Sequence, residues 1–242
     1  MAMRNVGVKT SQIMDYMVNQ SESYENVGFI RTDLHNHIQA ERRAEVEDDL
    51  KSRADYAKFG DVLIFDVTYR TNAYKKRFVM LAGVTSHFRT TIFTCVLLAN
   101  EIIDTYTWVL ETFMEAMGNK APVSILTDGD KAMPEAIRRV FPDVRHRLCN
   151  WHLGKNTVSN VHESGFAYAF KQCMDMETDK TKFEHGWTTM VKKFGLQTNS
   201  WVLETYEKRH MWAEAYMRGH FFVRIKSTQR SESMNAYFNP FL

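Results

Sequence analysis

The sequence predicts an α/β protein: a mixed sheet preceded by a helical arm and interrupted late by an all-helical insertion. Three observations carry this. Residues 59–149 hold five short apolar or β-branched runs, with helical periods only after the third. From about 156 to 218 the strand pattern vanishes and aromatic residues recur at helical spacing. Before residue 59 no strand pattern is present. Sequential strands followed by alternating helix and strand make a meander joined to α/β units, which is a mixed sheet.

The arm is assigned to residues 1–58 and the main domain to 59–242. Thr10 or Ser11 caps a short helix, 21–28 is a polar break, and Thr32 or Asp33 opens a longer, charge-mixed helix suited to a solvated face. At Phe59 and Gly60 the pattern changes. Val62, Leu63, Ile64, Phe65 and Val67 form a nearly continuous apolar run, as expected of a strand covered on both faces. Residues 75–86 and 90–99 read as two further strands around a turn at His87, Phe88 and Arg89. Tyr106, Val109, Leu110, Phe113 and Met117 then mark an amphipathic helix, with Asp104 as its expected cap. A fourth strand through Val123, Ile125 and Leu126 ends in Thr127-Asp128-Gly129-Asp130. Asp130 is the expected cap of the next helix, and Pro134 is tolerable only in a first turn. Residues 144–149 are the fifth strand. The helical insertion spans about 156–218, after which Phe221, Phe222 and Val223 re-enter the core and Ser227 opens a final helix.

At 44% hydrophobic and 25% charged, the chain of 242 residues is ordinary globular material. Net charge is only +2, which excludes a polycation. Three cysteines without a disulfide-framework spacing point to a reducing compartment. No stretch approaches 18 apolar residues, so no membrane partner is expected, and a soluble intracellular protein is.

Asp66 interrupts the first apolar run, and a carboxylate there is costly unless paired or metal-bound. Asp128 ends the fourth, where open α/β sheets place chemistry. With Glu232 on the helix after the insertion, these residues would form a three-carboxylate cluster. Such a set suits Mg²⁺ or Mn²⁺, two of which clamp the attacking and leaving oxygens of a phosphodiester. Glu204 and Glu214 are weaker third members. The plainer alternative is that the aspartates end strands or cap turns and Glu232 is a first-turn charge. Cys149 and His152 have the spacing of two Zn²⁺ ligands, with His162 and Cys173 available to complete a set of four; the alternative is a packed helix start. Basic residues cluster at Lys131, Arg138, Arg139, Arg145, Arg147 and Lys155, and again at Arg218, Arg224, Lys226 and Arg230. Flanking an acidic centre, they fit a DNA groove; scattered solvated charge is the alternative.

The stretches FGDVLIFDVTYRTN, KAPVSILTDGDKAM, AIRRVFPDVRHRLCNWHLGKN and STQRSESMNAYF, together with YENVGF at Tyr24, resemble the plant FAR-RED IMPAIRED RESPONSE family of domesticated Mutator-like transposases. The likeness covers most of the chain in order. It implies a ribonuclease-H-like core, a nuclear location, and transcription regulation linked to light signalling. It places Asp66, Asp128 and Glu232 at the transposase acidic positions, and matches Cys149 and His152 to the family's C-x-x-H. Implied partners are DNA and homo- or hetero-dimers with family members. The family's zinc-finger and SWIM modules have no counterpart in this sequence, and the stretch from Asp49 to Phe59 is shorter than usual, which would leave a sheet edge exposed. The expected function is therefore a regulator without catalysis. The alternatives are an active metal-dependent transposase or nuclease, and a truncated paralogue that only dimerises with longer relatives.

Overall fold

A computed structural model describes residues 48–68 and 77–228, and the chain divides into two units, Met1–Lys51 and Ser52–Leu242. Of the first unit only 48–51 are described, and these are helical; the expectations for the remainder of the arm lie outside the described residues. In the second unit, residues 52–59 (α1) precede five strands: β1 (Val62–Thr68), β2 (Arg77–Val84), β3 (Thr90–Leu98), β4 (Ser124–Thr127) and β5 (Arg145–Leu148). The sheet order is β3-β2-β1-β4-β5, with β1–β2 and β2–β3 antiparallel and β1–β4 and β4–β5 parallel. The expected meander is present, and the strand carrying Asp66 is central.

Side chains alternate between faces along a strand. Leu63, Phe65, Val79, Leu81 and Ile125 face α2 (Ile103–Ala116) and α3 (Met133–Val140), whose Tyr106, Leu110, Phe113 and Ile137 complete one core. Tyr56 of α1 belongs to this core, with its ring 5.0 Å from those of Phe93 and Phe113. Ile64, Phe78, Met80, Ala82 and Leu126 form the opposite face, on which Ile225 and Val223 pack.

Two expected caps belong elsewhere. Ile102 precedes α2 without a side-chain bond, while Asp104 lies in the first turn and accepts from Arg139 at 3.1 Å. Asp130 is two residues before the start of α3's cap, Ala132, and its carboxylate accepts the Ala132 N–H at 2.8 Å. Each carboxylate found a partner other than the one its position suggested. Pro134 does sit in the first turn.

The helical region comprises α4 (Asn150–Asn160), α5 (Phe166–Met174), α6 (Lys180–Lys193), α7 (Ser200–Glu207), a 3₁₀ turn (Arg209–Met211) and α8 (Glu214–Met217). Asp179 and Asn199 cap α6 and α7 by accepting the N–H groups of Lys182 and Val202. This region has a core of its own around Trp212, whose ring lies 5.4–5.8 Å from those of Phe170, Phe183 and Trp187. Glu184 accepts from Tyr206, Tyr216 and Arg209, tying α6 to α7 and α8. Among the described residues no helix is long and apolar enough to cross a membrane.

Candidate functional site

The last β1–β4 pair in the parallel ladder is Phe65 with Thr127, so Asp66 in β1 and Asp128, the residue directly after β4, follow it side by side. Asp66 opposes Met80 across β2 and shares the face of Ile64 and Met80, away from α2 and α3. It is only 1% exposed. Asp128 leaves the sheet through Gly129, whose φ of +99° is open to glycine and strained for other residues.

Burial pushes the Asp128 carboxyl up to about 7. The Asp130 N–H, donating to Asp128 Oδ1 at 3.3 Å, works against this shift, and the negative charges of Asp66, Asp130 and Glu101 add to it. Two neighbouring carboxylates in low dielectric repel, and a divalent cation relieves that repulsion while satisfying hard oxygen donors. The pair thus fits Mg²⁺ or Mn²⁺. Asp130 and Glu101 were not legible as contributors from sequence. Glu101 lies between β3 and α2 with no motif around it, and its salt bridge to Arg77 (2.7 Å) is long-range.

Glu232 lies outside the described residues. Among those described, no group of three or more His, Cys, Asp and Glu side chains is gathered in metal-binding geometry. Glu204 pairs with Lys208 at 2.7 Å and Lys131 at 3.8 Å, and Glu214 with Arg147 and Lys226, so both weaker candidates are engaged elsewhere. The described segment that precedes it, residues 221–228, packs back on the sheet. Ser124 Oγ, at the start of β4, donates to the Phe221 carbonyl at 2.6 Å; Asn150 N donates to the Lys226 carbonyl at 2.9 Å; Thr228 N reaches Cys149 Sγ at 3.2 Å. Cys149 N in turn donates to the Thr127 carbonyl at 2.7 Å. Residues 221–228 therefore run along β4 from its beginning toward the end that carries Asp128. Residues 227 and 228 are not helical, and the rest of the expected final helix lies outside the described residues.

Cys149 and His152 sit at the start of α4, both close to Thr228 Oγ1, at 3.4 Å and 3.5 Å. Burial, with Lys155 adding, lowers the His152 imidazole to about 4. The other proposed zinc ligands are elsewhere: Cys173 is in the aromatic core of the helical region, and His162 is exposed. Two ligands do not hold a structural zinc, which takes four, so the described residues do not fit the Zn²⁺ expectation.

The basic residues divide. Arg147, 2% exposed, pairs with Glu214 and stacks over Phe222 at 5.4 Å. Lys226 bridges Glu177 and Glu214 at 3.3 Å and 3.5 Å. Arg145 donates to the His210 and Tyr216 carbonyls. Arg138 and Arg139 pair with Glu135, at 2.8 Å and 3.0 Å. Lys131 is 84% exposed, Arg224 is exposed, and Lys155 lies over the Trp151 ring at 4.0 Å. Arg230 is outside the described residues. A groove of about 360 Å³ opens between the Asp128 loop and the helical region, lined by Gly129, Lys131, Asn156, Trp201, Lys208 and Trp212.

The MULE transposase domain matches residues 62–156, from the first residue of β1 into α4. In Arabidopsis thaliana, Protein FAR-RED IMPAIRED RESPONSE 1 is 34% identical over 200 residues, covering 80% of this chain and 24% of the relative. Protein FAR1-RELATED SEQUENCE 4 is 32% identical, covering 80% and 27%. The chain belongs to the FAR-RED IMPAIRED RESPONSE family of transposase-derived plant proteins. Protein FAR1-RELATED SEQUENCE 5 is 29% identical over 279 residues, covering 98% of this chain and 35% of the relative. That match is longer than the 242 residues available here, so this relative carries sequence with no counterpart in the chain. The chain spans about a quarter to a third of the length of these relatives.

Proposed function

We propose that the chain is the ribonuclease-H-like, transposase-derived part of a nuclear transcription regulator that associates with DNA and with related proteins, in a family named for its far-red response. The observation that carries the reading is the placing of Asp66 within β1 beside Asp128, which directly follows the neighbouring parallel strand β4, near a groove with exposed Lys131. In this reading the acidic centre binds Mg²⁺ or Mn²⁺ through Asp66, Asp128 and Glu232 and helps hold DNA without cutting it. Base readout requires a dedicated element in a groove of the duplex. Lys131, Lys155 and Arg224 instead suit phosphates, which makes DNA association sequence-independent and salt-sensitive.

The same acidic pair favours a second reading, metal-dependent strand cleavage, in which two bound cations would stabilise the attacking and leaving oxygens. Incubation with duplex DNA and Mn²⁺, scored for both retention and nicking, separates the two. Retention without nicking supports the regulator. Nicking that Asp66→Asn abolishes establishes the enzyme, and neither signal, with dimerisation intact, leaves association with longer relatives as the function.

A further inference from the structure

We infer that the outer edge of β3 is a pairing surface for a second copy of this chain, the two β3 strands running antiparallel about a two-fold axis at Val96 and continuing the sheet across the contact. The inference rests on the proposed association with related proteins and deepens it by naming a surface and its partner. It uses no residue of the acidic centre.

β3 and β5 are the two edges of the sheet, and they meet solvent differently. An edge strand presents a row of unpaired backbone N–H and C=O groups, which proteins guard with charge, proline, short length or a covering element. β5 is guarded. It has four residues, of which Arg145, His146 and Arg147 are three, and Arg145 donates to the carbonyls of His210 in the 3₁₀ turn and Tyr216 in α8. β3 has nine residues, TTIFTCVLL, with neither charge nor proline. Only its first half is protected. Thr91 Oγ1 donates to Asp55 Oδ2 of α1 at 3.0 Å. Ile92 pairs with Ala82 and Thr94 with Leu81, so Phe93 is an extra residue whose bulge twists that part of the strand away from an incoming one. From Thr94 to Leu98 the ladder to β2 is regular, and among the described residues no strand lies on its other side.

The side chains of this second half select the partner. Val96 and Leu98 pack on the core formed with α2 and α3. Cys95 and Leu97 point to the other face and are exposed, Leu97 by 41%. An antiparallel copy with Val96 opposite Val96 sets Cys95 of each chain opposite Leu97 of the other, so both exposed side chains are covered at once. An axis at Cys95 would set Leu97 against the bulge at Phe93, and one at Leu97 would set Cys95 against Ala99, beyond the strand. Self-pairing about an axis opposes like charges wherever a strand carries them, and this strand carries none. Contacts that bury less than about 1,200 Å² are weak and transient, and a pairing of so few residues belongs among them, so the dimer forms at high concentration.

Sedimentation at chain concentrations up to about 1 mM detects an association of this strength. The unaltered chain is expected to dimerise. Cys95→Lys combined with Leu97→Lys places four ammonium groups about the axis and should raise the dimer Kd at least about tenfold. Both positions are exposed, so circular dichroism should show the fold retained. Oxidation of Leu97→Cys should give a disulfide-linked dimer whose bond joins position 97 of one chain to Cys95 of the other, because directly opposed strand residues lie within disulfide reach. A dimer indifferent to the double lysine variant overturns the edge and leaves association to another surface. Dissociation by the lysines without the 97–95 bond overturns the axis at Val96. A monomer at every concentration overturns the inference outright, and whether that monomer still sediments with a longer relative decides if the association reading falls with it.

Discussion

Replacing Asp128 with Asn is expected to stabilise the metal-free protein, and to do so more strongly as pH rises. The Asp128 carboxyl titrates near 3.8 when unfolded and about 7 when folded. A raised folded-state value means the contribution is fully present below pH 3.8 and is lost as pH climbs through 7. The difference of roughly three pH units corresponds to about 4 kcal/mol at pH 8, of which about 3 kcal/mol accrues between pH 5 and pH 8. These are upper values, because the side chain is half-buried and solvent screens part of the repulsion. Asn cannot ionise and escapes the penalty. Its advantage over the native residue should therefore grow with pH, shifting Tm by about 5–15 °C at pH 8. Thermal or urea unfolding of both proteins at pH 5 and pH 8, in chelator, measures this. Saturating Mn²⁺ should close the gap by stabilising only the native residue. An Asn variant less stable by the same amount at both pH values would refute the argument, since it would show that Asp128 is not held ionised against burial and the charge of Asp66.

Further outcomes follow from the same geometry. Mn²⁺ affinity should rise about tenfold per pH unit below pH 7 and level off above it, with one proton released on binding, because the cation displaces the Asp128 proton; isothermal titration in buffers of different ionisation enthalpy reads the proton count. Arg147→Ala should cost up to about 3 kcal/mol, because Glu214 loses its buried partner and keeps, among the described residues, only Lys226 at 3.5 Å, whereas Lys131→Ala should leave stability within about 0.5 kcal/mol of the native value. On DNA the order reverses. If Lys131 and Lys155 each meet a phosphate, each alanine variant should lower the log–log salt slope by about 0.9 in filter retention. Trp212→Ala should cost about 3–5 kcal/mol and speed hydrogen exchange across α5 to α7 first, since Trp212 joins Phe170, Phe183 and Trp187 in a core separate from that of the sheet.

The sequence by itself determined the strands, their approximate limits and the adjacency of Asp66 and Asp128. Burial on both faces of β1 and β4 requires uninterrupted apolar runs, and such runs are visible in the chain without any partner. A short turn between β2 and β3 then dictates antiparallel pairing, and the helix between β4 and β5 parallel pairing. The aromatic spacing of the helical region was legible for the same reason. The tertiary structure alone decided what the polar side chains do. Arg147 and Lys131 look alike in sequence, yet one is buried on Glu214 and the other faces solvent. Asp104 and Asp130 have the positions of helix caps but spend their oxygens on Arg139 and the Ala132 N–H. Cys149 and His152 have metal-ligand spacing, and their shared partner proved to be Thr228, 79 and 76 residues away. Apolar burial is non-directional and leaves a periodic trace along the chain, whereas a hydrogen bond or ion pair is a choice between specific atoms that only folding brings together.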